Sequence, residues 1–240
     1  MARRLGGMAG LAAALLATAA GARQAAPMAP EPVVAPLQAA DDAPLRWDPA
    51  AWSREPTDCD RLAAHPSDPD RLTAGVSQPA MLAAGIDAAI AACRAAVAAD
   101  PANPRLNYQL ARTLGYAGRG AEAAPFREVA VAGDYPQGLF VVGFVHLTGQ
   151  GAPRDPCKAG YLIRRSAQAG RFAGLVGFPS WSLAGQFQGC PQVRVDLDEL
   201  DGFLVRARAH PENSDFYRGL LIDTLQRDVA ATRAGTPRPF

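Results

Sequence analysis

The four cysteines are the side chains of this sequence whose types and spacing most readily imply a bond. Cys59 and Cys93 are 34 positions apart, and Cys157 and Cys190 are 33 apart. An even number of cysteines favours two disulfides in an oxidising compartment, and four cysteines allow three pairings. The matched spacings favour Cys59 with Cys93 and Cys157 with Cys190, although the sequence alone does not choose among the three. A zinc site is the alternative, but there is no Cys-x-x-Cys and the three histidines are widely scattered.

A hydroxyl nucleophile with an activating base is a second arrangement to look for. The sequence has no Gly-x-Ser-x-Gly, and its single lysine, Lys158, is not part of a Ser-x-x-Lys. Ser180 and Ser182, on either side of Trp181, are the most suggestive hydroxyls, and a helix-cap or loop role beside a buried tryptophan explains them. The acidic run 196–201 is typical of the first turn of a helix rather than of a calcium loop. We therefore expect no catalytic residue, no metal and no cofactor.

The N-terminus indicates export from the cytosol. Arg3 and Arg4 precede an apolar run from Leu5 to Ala20, and Ala20-Gly21-Ala22 provides small residues for cleavage. These three parts are typical of a secretory signal peptide, here residues 1–22. A retained membrane anchor is the alternative, but the run is shorter than the roughly 20 residues that a spanning helix needs. A periplasmic or secreted location follows, without stable membrane insertion after cleavage.

The charge balance excludes one class of partner. Lysine and arginine total 24 against 23 acidic residues, so the net charge is close to zero. A chain with so little net charge has no broad attraction for nucleic acid. We expect no nucleic-acid partner.

The remaining sequence divides by composition into a linker, a helical region and a tail. Residues 23–55 are rich in Pro and Ala and read as a linker, with Trp47 and Trp52 marking where the chain docks onto the folded part. Helical segments separated by Asp-Pro and Gly breaks fill residues 56–230, and residues 231–240 read as a C-terminal tail. Helix, tight turn and helix in succession indicate a helical repeat array.

Two of these segments predict which side chains face inward. Residues 79–99 read as one helix, and Asp215 to Ala230 reads as a capping helix at the end of the array. The inward stripe of the first is Leu82, Ile86, Ile90, Cys93 and Val97, and that of the second is Phe216, Leu220, Leu221 and Leu225.

The most specific pattern covers residues 132–170. It has a small residue where two helices approach closely, glycines at a turn that requires positive φ, and an acidic residue that opens the second helix. The positions that carry the pattern are Leu139, Gly143, Leu147, Gly149, Gly151, Asp155, Lys158, Ala159, Tyr161, Ala167 and Gly170. This stretch resembles a Sel1-like repeat, which is related to the tetratricopeptide repeat. A degenerate copy follows it, and the preceding residues 100–131 resemble a tetratricopeptide helix pair.

The resemblance implies both a fold and a class of function. The fold would be all-α, an α–α superhelical solenoid of antiparallel helix pairs. Similar proteins are adaptors that receive a partner protein or peptide on the inner face of the array, and exported bacterial members are typically regulators or assembly factors. Some cysteine-rich relatives bind β-lactams, so a weak hydrolase is one alternative, and a purely structural envelope protein is another.

Aromatic and arginine side chains on the helices predict the partner-binding surface, because these residue types dominate binding energy at interfaces. The candidates are Tyr108, Arg112, Phe140, Phe144, Arg164 and Arg165. Core packing is the competing explanation for the phenylalanines, and a solvated helix face is the competing explanation for the arginines.

Overall fold

The computed structural model describes residues 43–236, and within them it contains ten α-helices, a short 3-10 helix at Pro49–Ala51 and no strand. The prediction of an all-α fold is confirmed. The expected signal peptide, residues 1–22, lies outside the described residues, as does most of the expected linker. The helices are α1 (Asp58–Ala63), α2 (Gln78–Ala84), α3 (Ile86–Ala99), α4 (Pro104–Tyr116), α5 (Gly120–Ala132), α6 (Pro136–Thr148), α7 (Pro156–Gln168), α8 (Phe172–Leu183), α9 (Leu197–Arg208) and α10 (Phe216–Arg233).

Each helix packs chiefly against helices close to it in the chain, most closely α4 with α5 and α6 with α7. One apolar core lies among α1 to α5, and a second lies among α6 to α10. A disulfide reinforces each core. Cys59 of α1 is bonded to Cys93 of α3, and Cys157 of α7 is bonded to Cys190 in the loop after α8. This is the pairing that the matched spacings favour.

Polar side chains cap the starts of α4, α7 and α9. Asn103 accepts hydrogen bonds from two backbone amides at the start of α4, and Asp155 and Asp196 do the same for α7 and α9. Such caps satisfy amides that have no partner within the helix, so each fixes where its helix begins. Asp155 thus begins α7, as the pattern over residues 132–170 predicts.

The glycines of the repeat pattern have the two roles expected of them. A Cβ at Gly143 would lie only 2.7 Å from Cγ1 of Ile163 and 3.2 Å from the carbonyl oxygen of Ala159, so α6 and α7 approach as closely as they do because this residue has no side chain. Gly149 and Gly151 form the turn between these helices with φ of 75° and 89°, a region that disfavours side chains. Residues 132–170, which carry the Sel1-like pattern, therefore contain the closely packed helices α6 and α7.

Two predictions about the helices are wrong. The segment predicted as one helix over 79–99 is two, because Gly85 has φ of 94° and the chain bends by 98° between α2 and α3. Leu82, expected to face inward, is 47% exposed.

On α10, Leu225 is buried as expected, but Phe216, Leu220 and Leu221 are exposed, Phe216 by 75%. The face of α10 that packs on the core is instead formed by Ile222, Leu225 and Val229, which share one side of the helix. The helix continues to Arg233, into the segment expected to be tail. No single described helix is long and apolar enough to cross a membrane, and the pair α2 and α3 reaches that length and composition only across its 98° bend.

Candidate functional site

The predicted binding surface is partly covered by the chain itself. Residues 43–76, here called the N-terminal segment, lie across α4 and the start of α6. The Trp47 ring packs edge-on against the Tyr135 ring with centroids 4.7 Å apart, and its indole N–H donates to Asp70. Tyr108 of α4 packs against Tyr135 at 5.6 Å and is only 2% exposed.

The predicted arginines are buried beneath or beside this segment. Arg112 is 6% exposed and donates to the carbonyl oxygens of Ala63 (2.9 Å) and Val76 (2.6 Å). Arg165 is also buried, and it donates to both carboxylate oxygens of Asp134 and to the carbonyl oxygen of Ala43.

Arg164 is equally buried and pairs with Glu199 at 2.9 Å. The expectation that these residues form an exposed face is therefore wrong, because Tyr108, Arg112, Arg164 and Arg165 are all buried within the chain. The physical reason is that carboxylates and backbone carbonyls of the same chain already accept hydrogen bonds from the three arginines.

A buried polar cluster holds the N-terminal segment in place, and no pattern in the sequence indicated it. Asp68 is fully buried and accepts hydrogen bonds from the Tyr135 hydroxyl and from the backbone amide of Asp70. Burial raises the pKa of Asp68 to about 6, because removal from water disfavours the charged carboxylate. Burial likewise raises the pKa of the Tyr108 hydroxyl above its usual range.

His65 belongs to the same segment, and burial shifts its pKa in the opposite direction from that of Asp68. Burial, followed by the positive charges of Arg112 and Arg171, lowers the pKa of His65 to about 4. The backbone amide of Ser67 donates to Nδ1 of His65 at 3.0 Å, which requires that nitrogen to be unprotonated. His65 is therefore neutral at pH 7.

Phe140 and Phe144 of α6 form, with Trp181 of α8, a surface that we call the aromatic cluster. The three ring centroids are 6.0 to 6.3 Å apart, and the Phe140 ring is nearly parallel to the other two. Phe144 is 42% exposed, while Phe140 and Trp181 are partly buried. Of the six predicted partner-binding residues, only the two phenylalanines are thus exposed or partly exposed. Trp181 joins them, although the sequence pattern predicted a buried tryptophan.

A pocket of about 520 Å³ opens between α4, α5 and α6, and we call it the α4–α6 pocket. Its apolar lining comes from Ala111, Ala130, Val141, Val142 and Val145. Its polar lining comes from His65, Gln78, Tyr108, Arg112, Tyr116, Arg127 and Gln150, with glycines at positions 115, 118, 120 and 151. No aspartate or glutamate is among the residues that line this pocket.

Two observations concern the catalytic and metal-binding chemistry that was looked for in the sequence. Ser182, one of the two suggestive hydroxyls, is partly buried on α8, and its buried Oγ has no hydrogen-bond partner within residues 43–236. No base in that range is therefore positioned to activate it. In the same part of the chain no group of three or more His, Cys, Asp or Glu side chains is placed to hold a metal ion.

Comparison with known proteins adds no assignment. No protein-family model, no curated protein and no solved structure matches this chain.

Proposed function

We propose that this protein is a non-catalytic repeat module that binds another protein or peptide in the periplasm or outside the cell, with the aromatic cluster as its contact surface. The Sel1-like pattern over residues 132–170 and the succession of packed helices support a superhelical array of helix pairs. The two disulfides are typical of an oxidising compartment and support a location outside the cytosol.

The observation that carries the proposal is the exposure of Phe144 beside two other rings. A core that needed these rings only for packing would enclose them, whereas 42% of Phe144 faces solvent. Phenylalanine and tryptophan are enriched at the centres of interfaces because they bury a large apolar area at low cost in conformational entropy. Phe140 and Phe144 lie on α6, whose backbone packs closely against α7 at Gly143.

The test compares two variants that each remove one exposed apolar side chain. In Phe144→Ser the aromatic cluster loses its most exposed ring, and in Val205→Ser an exposed valine of α9 outside the cluster is lost. The purified proteins would be immobilised and used to capture proteins from the periplasmic fraction of the source cell. We expect a partner that wild type and Val205→Ser capture equally and that Phe144→Ser captures at least about tenfold less well.

The result that contradicts the proposal is a captured set that is the same for all three proteins. A purely structural role predicts that no captured protein depends on Phe144. Thermal unfolding of each variant shows whether a lost partner reflects lost contact or lost folding. Because Phe144 is substantially exposed, its replacement is expected to change the free energy of unfolding by less than about 1 kcal/mol.

A further inference from the structure

Two arginines that line the α4–α6 pocket differ from the buried arginines that form ion pairs in this protein. Arg105 is paired with Asp60, and Arg165 is paired with Asp134. Arg112 and Arg127 donate only to backbone carbonyls, and neither forms an ion pair with a carboxylate of residues 43–236. A backbone carbonyl satisfies a donor but does not neutralise its charge, so the pocket keeps two positive charges.

Arg112 has one donor, its Nε, that is buried without a partner among the described residues. Its Nη atoms are bonded to the carbonyls of Ala63 and Val76, while its buried Nε has no acceptor within the described part of the chain. The guanidinium lies over the Tyr116 ring at 5.0 Å, and both residues line the pocket. Because this Nε is out of contact with solvent, a ligand in the pocket would meet the positive charge of Arg112 rather than this donor.

Arg127 lies close beside two glycines of the pocket wall. Its Nη1 donates to the carbonyl oxygen of Gly151 at 2.8 Å. A Cβ added at Gly115 would lie 3.6 Å from its Nη2, and one added at Gly151 would lie 3.5 Å from the same atom. Burial lowers the pKa of Arg127 from its usual value, and the charge of the neighbouring Glu128, which is not bonded to it, opposes this shift.

The apolar lining restricts the kind of anion. Val141, Val142 and Val145 of α6 and Ala111 of α4 provide a surface that suits a hydrocarbon group, and a volume of about 520 Å³ is within the usual range for small-ligand sites. A guanidinium matches the planar geometry of a carboxylate.

We propose that the α4–α6 pocket binds a carboxylate carried on a small apolar group, with Arg127 contacting the carboxylate beside Arg112 and the valines of α6 contacting the apolar group. Two kinds of ligand carry such a carboxylate, namely the C-terminal residue of a peptide and a free branched-chain acid. The site is separate from the aromatic cluster and does not depend on the proposed function.

The experiment uses acids and their neutral amides as probes. 4-Methylpentanoate and the tripeptide acetyl-Ala-Ala-Leu, each as free acid and as amide, would be titrated into the ¹⁵N-labelled full protein. The backbone amides of Gly118, Gly120 and Gly151 line the pocket and report binding through their chemical shifts. We expect at least one acid to bind about tenfold more tightly than its amide, because only the acid gains a charge-assisted hydrogen bond.

Arg127→Gln removes one of the pocket's two charges and leaves the carbonyl contacts that Arg112 makes to the N-terminal segment. Arg227→Gln is the matched control, since Arg227 is an arginine of α10 outside the pocket. In Arg127→Gln the acid should bind no better than its amide, whereas Arg227→Gln should behave as wild type. Phe144→Ser should also bind the acid normally, which separates failure of this site from failure of the aromatic cluster.

Three results would overturn the proposal. The first is that neither acid, at about 10 mM, shifts the signals of the pocket glycines. The second is that acid and amide bind equally well. The third is that Arg127→Gln binds the acid as tightly as wild type does. Tighter binding of the tripeptide acid supports the proposal and assigns the pocket to a peptide C-terminus. Tighter binding of 4-methylpentanoate supports it and assigns the pocket to a free acid.

Discussion

Asp68 and His65 give the stability of this protein two pH dependences of opposite sign, and single substitutions should separate them. Both residues belong to the N-terminal segment, and each is less easily ionised in the folded chain than in the unfolded one. Asp68→Asn removes the acid and leaves an amide oxygen that can accept from the Tyr135 hydroxyl. His65→Gln removes the base and leaves a neutral side chain.

The pKa of Asp68 rises from 3.8 to about 6 on folding, so the folded protein binds more protons than the unfolded one between these values. Its contribution to stability is fully present below pH 3.8 and is lost as pH rises through 6. About two pKa units correspond to about 3 kcal/mol, of which about 2 kcal/mol is regained on going from pH 7 to pH 4.

The pKa of His65 falls from 6.5 to about 4 on folding, so the unfolded protein binds the extra proton. Its contribution is fully present above pH 6.5 and is lost as pH falls towards 4. Because His65 is only half-buried, solvent screening reduces this loss to about 1–2 kcal/mol. The two contributions largely cancel in the wild type.

Urea unfolding at intervals from pH 4 to pH 7 measures these contributions as differences, since the other titrating groups are common to all three proteins. Relative to wild type, Asp68→Asn should lose about 2 kcal/mol as pH falls from 7 to 4, and His65→Gln should gain about 1–2 kcal/mol. Parallel pH profiles for wild type and Asp68→Asn would refute the reasoning, because they would mean that Asp68 ionises as easily in the folded chain as in the unfolded one.

Three further predictions concern the second disulfide and one glycine each of α6 and α9. Replacing Cys157 and Cys190 by serine should lower the free energy of unfolding by about 4 kcal/mol in the chain-entropy model, and a loss below about 1 kcal/mol in urea unfolding would contradict it. Gly143→Ala should cost about 1–3 kcal/mol because its Cβ overlaps Ile163. Gly202→Ala, where the added Cβ meets nothing within 4 Å, should stabilise α9 by up to about 1 kcal/mol, and equal melting temperatures for the two alanine variants would argue against the close helix contact.

Features encoded by neighbouring residues could be predicted from the sequence. The caps at Asn103 and Asp155 follow from residue type and position alone, because a cap bonds to amides two or three residues away. The same holds for the helix contact at Gly143, which the repeat pattern marks. The break at Gly85 was missed because the apolar spacing continues across it, and periodicity does not register a change in direction of the backbone.

The candidate site was harder to predict because it depends on contacts between distant residues. Arg112 is buried by carbonyls of Ala63 and Val76, and a carbonyl acceptor leaves no mark on the sequence. On α10 the apolar residues exceed what one helix face can bury, so pattern alone could not choose between the stripe through Phe216 and the stripe through Ile222. The aromatic cluster combines two predicted residues with Trp181, whose helix is adjacent only in the folded chain.

The two disulfides follow one another along the chain without overlapping, since Cys59 is bonded to Cys93 before Cys157 is bonded to Cys190. In a chain that emerges N-terminus first, the second cysteine of each bond therefore meets its proper partner as the only free thiol already present. Each correct pairing is the first one available, whereas an incorrect pairing forms only if Cys59 or Cys93 stays reduced until a cysteine of the second pair has emerged. Oxidation in order of emergence would give the native bonds directly, with no incorrect bond to rearrange.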